Sequence, residues 1–321
     1  MSERLPSITV VVPTHRRPEL LEHCVKSLIA QDYPADRFEI HVLHNDIDRA
    51  TREVVVKLAR RAPVPVRYTY QPIPGPAASR HYALSQSSAE LLAYIDDDCQ
   101  ATPSWLRAGA RAFEGRSDLG VLQGRTMPNP NQPRHYLEKT VQITGPTPFY
   151  ETCNIFFPRA APAQAGGFSG PFPGPYCEDT DAALRVLSCG YESDYCDEAV
   201  IYHEVFKQRP IPWLMEAWKM HHLPHLVAVW PEMRRHMYRR WFLSRQSASF
   251  DVLLLGVMLA PVAGWPAAAL ALPYMAVRAV ERGRFSNPVK VAARVVLGLP
   301  RSCITFAALV YGSVRHRTPL F

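Results

Sequence analysis

No glycine-rich loop follows the first strand-like run of this chain; Pro13-Thr14-His15-Arg16-Arg17 stands there instead. A nucleotidyltransferase that cradles phosphates on backbone N–H groups needs such a loop, which leaves that class as an alternative only. No CxxC pair and no regular spacing organises the seven cysteines. An odd number in otherwise apolar segments implies free thiols and a reducing compartment, not a disulfide framework. No secretory signal pattern is visible over residues 1–12, so the N-terminal part is expected to be cytoplasmic. No internal repeat occurs, and no recognisable nucleic-acid module accompanies the formal charge of +7. The basic residues are unevenly placed instead. Arg234, Arg235, Arg239, Arg240 and Arg245 precede a long apolar run, and Arg278, Arg282 and Arg284 follow it. That placement points to an anionic membrane surface, with a solvated basic helical face as the plainer alternative.

What is present is a large apolar fraction, 47% of 321 residues, enough for a packed core in more than one domain. Ile8 to Val12 is a β-branched run of the kind a strand buried on both faces requires. Pro18 suits a helix first turn, and Leu20, Leu21, Cys24, Val25 and Leu28 recur at helical spacing. Phe38–Leu43, Val66–Tyr70 and Leu91–Ile95 read as further strands, with helices over Thr51–Arg60 and Ala77–Ser87 between them. This alternation predicts an α/β domain with a parallel sheet and helices on both faces. In such sheets ligands bind beyond the carboxyl ends of the strands. Pro13–Arg17, His44–Asp48 and Asp96–Asp98 all fall at such ends. Residues 125–150 are rich in Pro, Asn and Thr and read as a loop or lid, and Glu178–Cys189 as a helix closed by Gly190.

Val252–Val277 carries no charge and is long enough to cross a bilayer. Pro261, Pro266 and Pro273 interrupt it, and its basic flanks disfavour a single crossing. A hairpin, a kinked pair or interfacial helices would keep both flanks on one side. Val291–Tyr311, with Arg294 and Arg301, reads as an interfacial amphipathic helix. The competing reading of the whole region is a buried helical subdomain.

Asp96-Asp97-Asp98 is the most chemically pointed segment. Three adjacent carboxylates repel one another, so keeping them ionised together favours a bound cation. Hard divalent ions take oxygen ligands and bridge carboxylates to substrate phosphates. The preceding Leu-Leu-Ala-Tyr-Ile strand makes a casual surface turn a poor explanation.

Ile8–Arg17, Gly75-Pro76-Ala77-Ala78-Ser79-Arg80-His81 and Tyr94–Asp98 together resemble family 2 glycosyltransferases of the GT-A fold. The likeness continues through Cys153-Asn154, Gly166-Gly167-Phe168 and Glu178-Asp179-Thr180-Asp181, and ends near His203. It implies a Rossmann-like nucleotide-diphospho-sugar transferase domain over residues 1–205. A basic and aromatic helical connector over 206–249 and membrane-associated helices over 250–321 complete the expected organisation. The resemblance assigns Pro13, Thr14 and Arg16 to the donor nucleotide, Asn45 or Asp46 to its base, and Arg80 to the base and diphosphate. Asp96 or Asp97 would contact the ribose, and Asp98, in a motif of DXD type, would hold Mn2+ or Mg2+. His203 aligns with a histidine near the metal or phosphates, and Asn154 with an asparagine at the donor-sugar or acceptor side. Asp179 stands where the family keeps its general base, with Glu178 as the other candidate carboxylate. A sugar hydroxyl attacking the anomeric carbon must lose its proton to such a group. His44 and His81 depart from the family's usual residues.

Gln208-Arg209-Pro210-Ile211-Pro212-Trp213 does not match the QxxRW element of processive synthases, so a nonprocessive inverting enzyme adding one sugar is expected. His221, His222 and His225 resemble a metal cluster only superficially and read as a solvated or interfacial basic helix. Cys177 and Cys189 read as packing residues. The expected partners are a nucleotide-diphosphate sugar and a glycan or glycolipid acceptor, with no nucleic acid. The expected location is the cytoplasmic face of the membrane, through a monotopic or hairpin attachment. The non-catalytic alternative is a membrane-bound sugar- or nucleotide-binding scaffold.

Overall fold

The apolar runs of the first hundred residues become the centre of a sheet. The computed structural model describes residues 5–135, 137–172, 174, 176–280 and 288–321, with backbone alone over 288–294. Arg282 and Arg284, and the side chain of Arg294, lie outside the described residues. The chain divides into two units, Met1–Lys207 and Gln208–Phe321.

The first unit opens with β1 (Ile8–Thr14), α1 (Pro18–Ile29), β2 (Phe38–His44), α2 (Arg49–Ala59), β3 (Val66–Tyr70), α3 (Pro76–Gln86) and β4 (Leu91–Ile95). It continues with β5 (Cys99–Ala101), α4 (Trp105–Arg111), β6 (Leu119–Pro128), β7 (Glu138–Lys139), β8 (Asn154–Pro158), α5 (Ala160–Gln164), α6 (Glu178–Ser188), β9 (Glu192–His203) and β10 (Phe206–Lys207). The main sheet has the order β3-β2-β1-β4-β8-β6-β9-β5, and β7 pairs with β10 apart from it.

Strands β3, β2, β1 and β4 are mutually parallel, as the alternation predicts. Beyond β4, past the stretch on which that expectation rested, the sheet is mixed. There β8 runs antiparallel to both β4 and β6, β9 lies parallel to β6, and β5 lies antiparallel to β9. Strand β6 also takes in the first residues of the stretch expected as loop.

Alternation along β1 distributes its side chains between two cores. Val10 and Val12 join Leu21, Val25, Leu28 and Trp105 on one face. Val11 joins Leu43, Leu84, Tyr94 and Phe157 on the other. Each such fully enclosed aliphatic side chain contributes about 1.5–3 kcal/mol relative to exposure. Helix α1 starts on Pro18 and buries Leu21, Cys24, Val25 and Leu28 at helical spacing. Asp48 caps α2, its carboxylate accepting the Ala50 and Thr51 N–H groups. At α3, Gly75 (φ 100°) makes the left-handed entry and Pro76 supplies a preset first turn.

The second unit contains α7 (Pro210–Met215), α8 (Leu223–Val229), α9 (Arg245–Ala263), α10 (Leu272–Val280) and α11 (Pro288–His316). The uncharged run Val252–Val277 is not one helix. Helix α9 ends at Gly264 (φ 67°), a 3-10 segment follows over Trp265–Ala271, and α10 succeeds it. Val291–Tyr311 is part of α11, with Pro300 inside it. Arg301 lies 4.5 Å over the Trp213 ring and donates to the Trp213 carbonyl at 2.9 Å. His221, His222, His225 and His316 are half-buried rather than solvated. His225 stacks on His316 with ring centroids 4.2 Å apart, and His221 packs against Trp218 and Tyr311.

Candidate active site

The register of β1 with β4 pairs Val11 with Tyr94, which carries Thr14 level with position 97. The Thr14 hydroxyl accordingly donates to Asp97 Oδ2 at 2.6 Å. Just past the strand, Arg16 takes a left-handed backbone (φ 51°), an uncommon conformation for a residue with a side chain. That turn sends two consecutive arginines to different strands. Arg16 pairs with Asp46 after β2, where His15 also meets Asn45 at 2.7 Å. Arg17 reaches the acidic triplet, 3.2 Å from Asp97 and 2.8 Å from Asp98. Arg17 is a residue that the sequence reading did not single out. Its signal was available in the second arginine of the Pro13–Arg17 turn.

The carboxylates differ sharply in surroundings. Burial pushes Asp97 up to about 6, although the Thr14 hydrogen bond and Arg17 oppose the rise. Asp98 faces His203, whose Nε2 lies 3.6 Å from Asp98 Oδ1. This juxtaposition is made by the β5–β9 pairing, which sets Cys99 opposite His203. His203 Nδ1 lies 2.8 Å from the Glu204 carbonyl, which can only accept, so Nδ1 carries a hydrogen. In the neutral ring Nε2 is then the lone-pair atom, turned toward Asp98, the arrangement typical of a ligating histidine. A carboxylate oxygen and an imidazole nitrogen at this separation fit one divalent cation, whose ligands lie about 2.0–2.6 Å from it. Cys99 is the third member of the cluster. Burial raises its thiol well above the ordinary range, which leaves it protonated and a poor ligand for a hard ion. Among the described residues no other such cluster occurs.

A second group assembles at the start of α6. Cys177 precedes that helix with φ 70° and is buried, in line with a packing role, whereas Cys189 at the far end of α6 is exposed, which corrects the same expectation there. Arg80, only 4% exposed, donates to Asp96 Oδ1 and to Glu178 Oε1, both at 3.0 Å. Asp179 remains half-buried. Its Oδ1 accepts the Thr180 N–H at 2.9 Å and its Oδ2 the Thr152 N–H at 3.4 Å. Burial pushes the Asp179 carboxyl up to about 8; the Glu178 charge adds to the rise and Arg80 opposes it. A carboxylate so placed is a competent proton acceptor near neutral pH. Asp181 is turned the other way, paired with Arg185 at 3.0 Å. Arg185 also holds the carbonyls of Ala165 and Gly167.

Asn154 does not join the site. It is fully enclosed, accepting from the Trp105 indole at 2.8 Å and donating to the Arg125 and Ala199 carbonyls, each at 2.9 Å. Both of its N–H donors are engaged, so its placement beside a sugar is corrected to a polar junction in the core. Pro13 is half-buried at the end of β1.

Comparison with known proteins places this geometry in context. The family pattern described as Glycosyl transferase family 2 matches residues 9–171, just over half of the chain. The validoxylamine A glucosyltransferase of Streptomyces hygroscopicus subsp. jinggangensis is 25% identical over 226 residues, covering 59% of this chain and 53% of that protein. The succinoglycan biosynthesis protein ExoM of Rhizobium meliloti is 28% identical over 225 residues, covering 64% and 70%. The glycosyltransferase AglE of Haloferax volcanii is 26% identical over 115 residues, and the chain spans only 38% of its length. Among solved structures, the mannosyltransferase PcManGT of Pyrobaculum calidifontis, in complex with GDP-Man and Mn2+, superposes with a TM-score of 0.59 at 17% identity, covering 98% of this chain and 87% of that one. TarS 1–349 of S. aureus in complex with UDP-GlcNAc gives 0.54 at 16%, covering 97% and 92%. These likenesses carry the fold, a GT-A domain followed by helices. The sequence pattern carries the family, and the chain belongs to glycosyl transferase family 2.

Proposed function

We propose that the protein is an inverting, nonprocessive glycosyltransferase that moves one sugar from a nucleotide-diphosphate donor to a glycan or lipid-linked acceptor. The observation that carries this reading is the convergence of two groups at the ends of β1 and β4. Asp98 faces His203 on one side, and Arg80 joins Asp96 to the first turn of α6, with Asp179, on the other. Thr14, Arg16, Asn45 and Asp46 line the neighbouring strand ends, where a nucleotide would lie, with Asp96 or Asp97 toward the ribose. Mn2+ or Mg2+ held by Asp98 and His203 would neutralise charge on the departing diphosphate. The solved structures of PcManGT with GDP-Man and Mn2+ and of TarS with UDP-GlcNAc support a donor of this class.

In the chemical step the acceptor hydroxyl forms a bond to the anomeric carbon. The bond from that carbon to the diphosphate oxygen breaks, and its electron pair leaves with the diphosphate. Asp179 takes the hydroxyl proton. Glu178 is the weaker candidate for that duty, because its Oε1 is committed to Arg80.

The helical unit supports membrane attachment. Helices Arg245–Ala263 and Val295–His316 each contain an 18-residue stretch of mean hydropathy 1.5 and have the length to cross a bilayer. The residues from Leu255 to Pro273 are apolar and almost all exposed, with Val262 at 90% and Trp265 at 88%. The exposed end of α9, Leu255–Ala263, is about 13 Å long at 1.5 Å per residue. That is under half of a hydrocarbon core of about 30 Å, which favours a hairpin in one leaflet over a crossing. Such an anchor would keep the enzyme on the cytoplasmic face, where a lipid-linked acceptor is available.

The direct test is release of nucleotide and transfer of sugar from a panel of UDP- and GDP-sugars, with Mn2+ and with EDTA. Turnover that depends on the cation supports the reading. Absence of turnover with every donor, alongside undiminished nucleotide binding, would favour the scaffold.

A further inference from the structure

Arg80 is an unusual counter-ion for the interior of a sheet domain. It lies on α3, is 4% exposed, and divides its fork between Asp96 at the end of β4 and Glu178 at the start of α6, each 3.0 Å away. Glu178 is itself only 7% exposed. The bridge is deliberately incomplete: among the described residues Arg80 Nε and Glu178 Oε2 have no hydrogen-bond partner. Burying two charges with unsatisfied atoms costs stability that better-packed apolar residues would not, so stability alone is a weak reason for this pair. Its position supplies a better one. The next residue after Glu178 is Asp179, and the charge pair brackets the helix turn that carries it.

Resting on the reading of Asp179 as the base, we propose that Glu178 is a positioning residue that acts through Arg80. The pair fixes the first turn of α6 against the donor-side strand and sets the charge that Asp179 experiences. The groups facing Asp179 are Glu178 on its own helix, Arg80 on α3, Glu151 in the segment before β8, and Cys177 at the helix start. Glu178 and Glu151 discourage its ionisation, and Arg80 is the cation that favours it. Asp96 holds the same guanidinium from the end of β4.

The arrangement makes two opposite predictions for the acid limb of kcat/KM against pH. Glu178→Gln removes a neighbouring negative charge and releases Arg80 toward Asp179, which should move the limb down by about one pH unit. Arg80→Lys keeps the charge but loses the fork, leaving Asp179 less compensated, and should move the limb up. Both should lower kcat more than they raise the donor KM. Asp179→Asn is measured in parallel. If it is inactive while both bridge variants lower the rate without moving the limb, the positioning role is overturned and Asp179 stands. If Asp179→Asn transfers normally, the underlying assignment of the base fails. Should Glu178→Gln not fold, Arg80→Lys alone still decides, and an unmoved limb overturns the proposal.

Discussion

Asp179 gathers the sharpest consequences at the scale of single residues, because burial and Glu178 both disfavour its ionised form. Asp179→Asn keeps the shape and removes the basicity. Transfer should fall by about 10²-fold or more, the usual scale for removal of a general base, while donor binding persists. Single-turnover transfer against isothermal donor titration checks this, and normal transfer would contradict it. The wild-type rate should fall about tenfold per pH unit below the Asp179 value of about 8. The sign for stability is the opposite. A carboxyl raised from about 4 in the unfolded chain stabilises the fold fully below that pH and loses this contribution as pH rises through about 8. Thermal melts should therefore show Asp179→Asn gaining on the wild type between pH 4 and 8. A constant difference would place the carboxylate in more polar surroundings than the structure gives it.

Helix α4 and strand β8 give a prediction at the scale of elements. Glycine inside a helix ordinarily costs about 0.5–1 kcal/mol, so its replacement by alanine usually stabilises. At Gly109 an added Cβ would run into the Phe156 ring, itself packed against Trp105 with centroids 4.9 Å apart. Gly109→Ala should instead destabilise by about 1–3 kcal/mol, read as a lowered denaturation midpoint with an unchanged slope. A stabilised variant would show that α4 can move away from β8. The same region shows what the sequence could and could not disclose. Strands β1 and β4 were legible because a strand buried on both faces reads as an apolar run, and Leu91–Ile95 ending in three aspartates announces itself. The pairing of β5 with β9 was not legible: β9 is mostly exposed along its first half, and its partner is three residues long. Only that pairing brings His203 against Asp98. Asn154 misled for a related reason. A buried asparagine that ties Trp105 to two strands has the same local sequence as one that reads a ligand.

The whole molecule joins a sheet domain that carries the chemistry to a helical unit with an exposed apolar hairpin. Val262→Asp combined with Trp265→Asp places two charges on the most exposed part of that hairpin. The variant should lose sedimentation with phospholipid vesicles while still releasing nucleotide from free donor. Undiminished co-sedimentation would remove the hairpin from the account. On the proposed reading, a nucleotide diphosphate should bind at the ends of β1 and β4 through a cation held by Asp98 and His203. The most direct measurement is calorimetric titration of UDP and GDP into wild type and Asp98→Asn, each with Mn2+ and with EDTA. The wild type should bind at least one nucleotide with Mn2+, weakened tenfold or more by EDTA, and Asp98→Asn should show the same weakening whether or not Mn2+ is present. Equal affinity in all four conditions would contradict it.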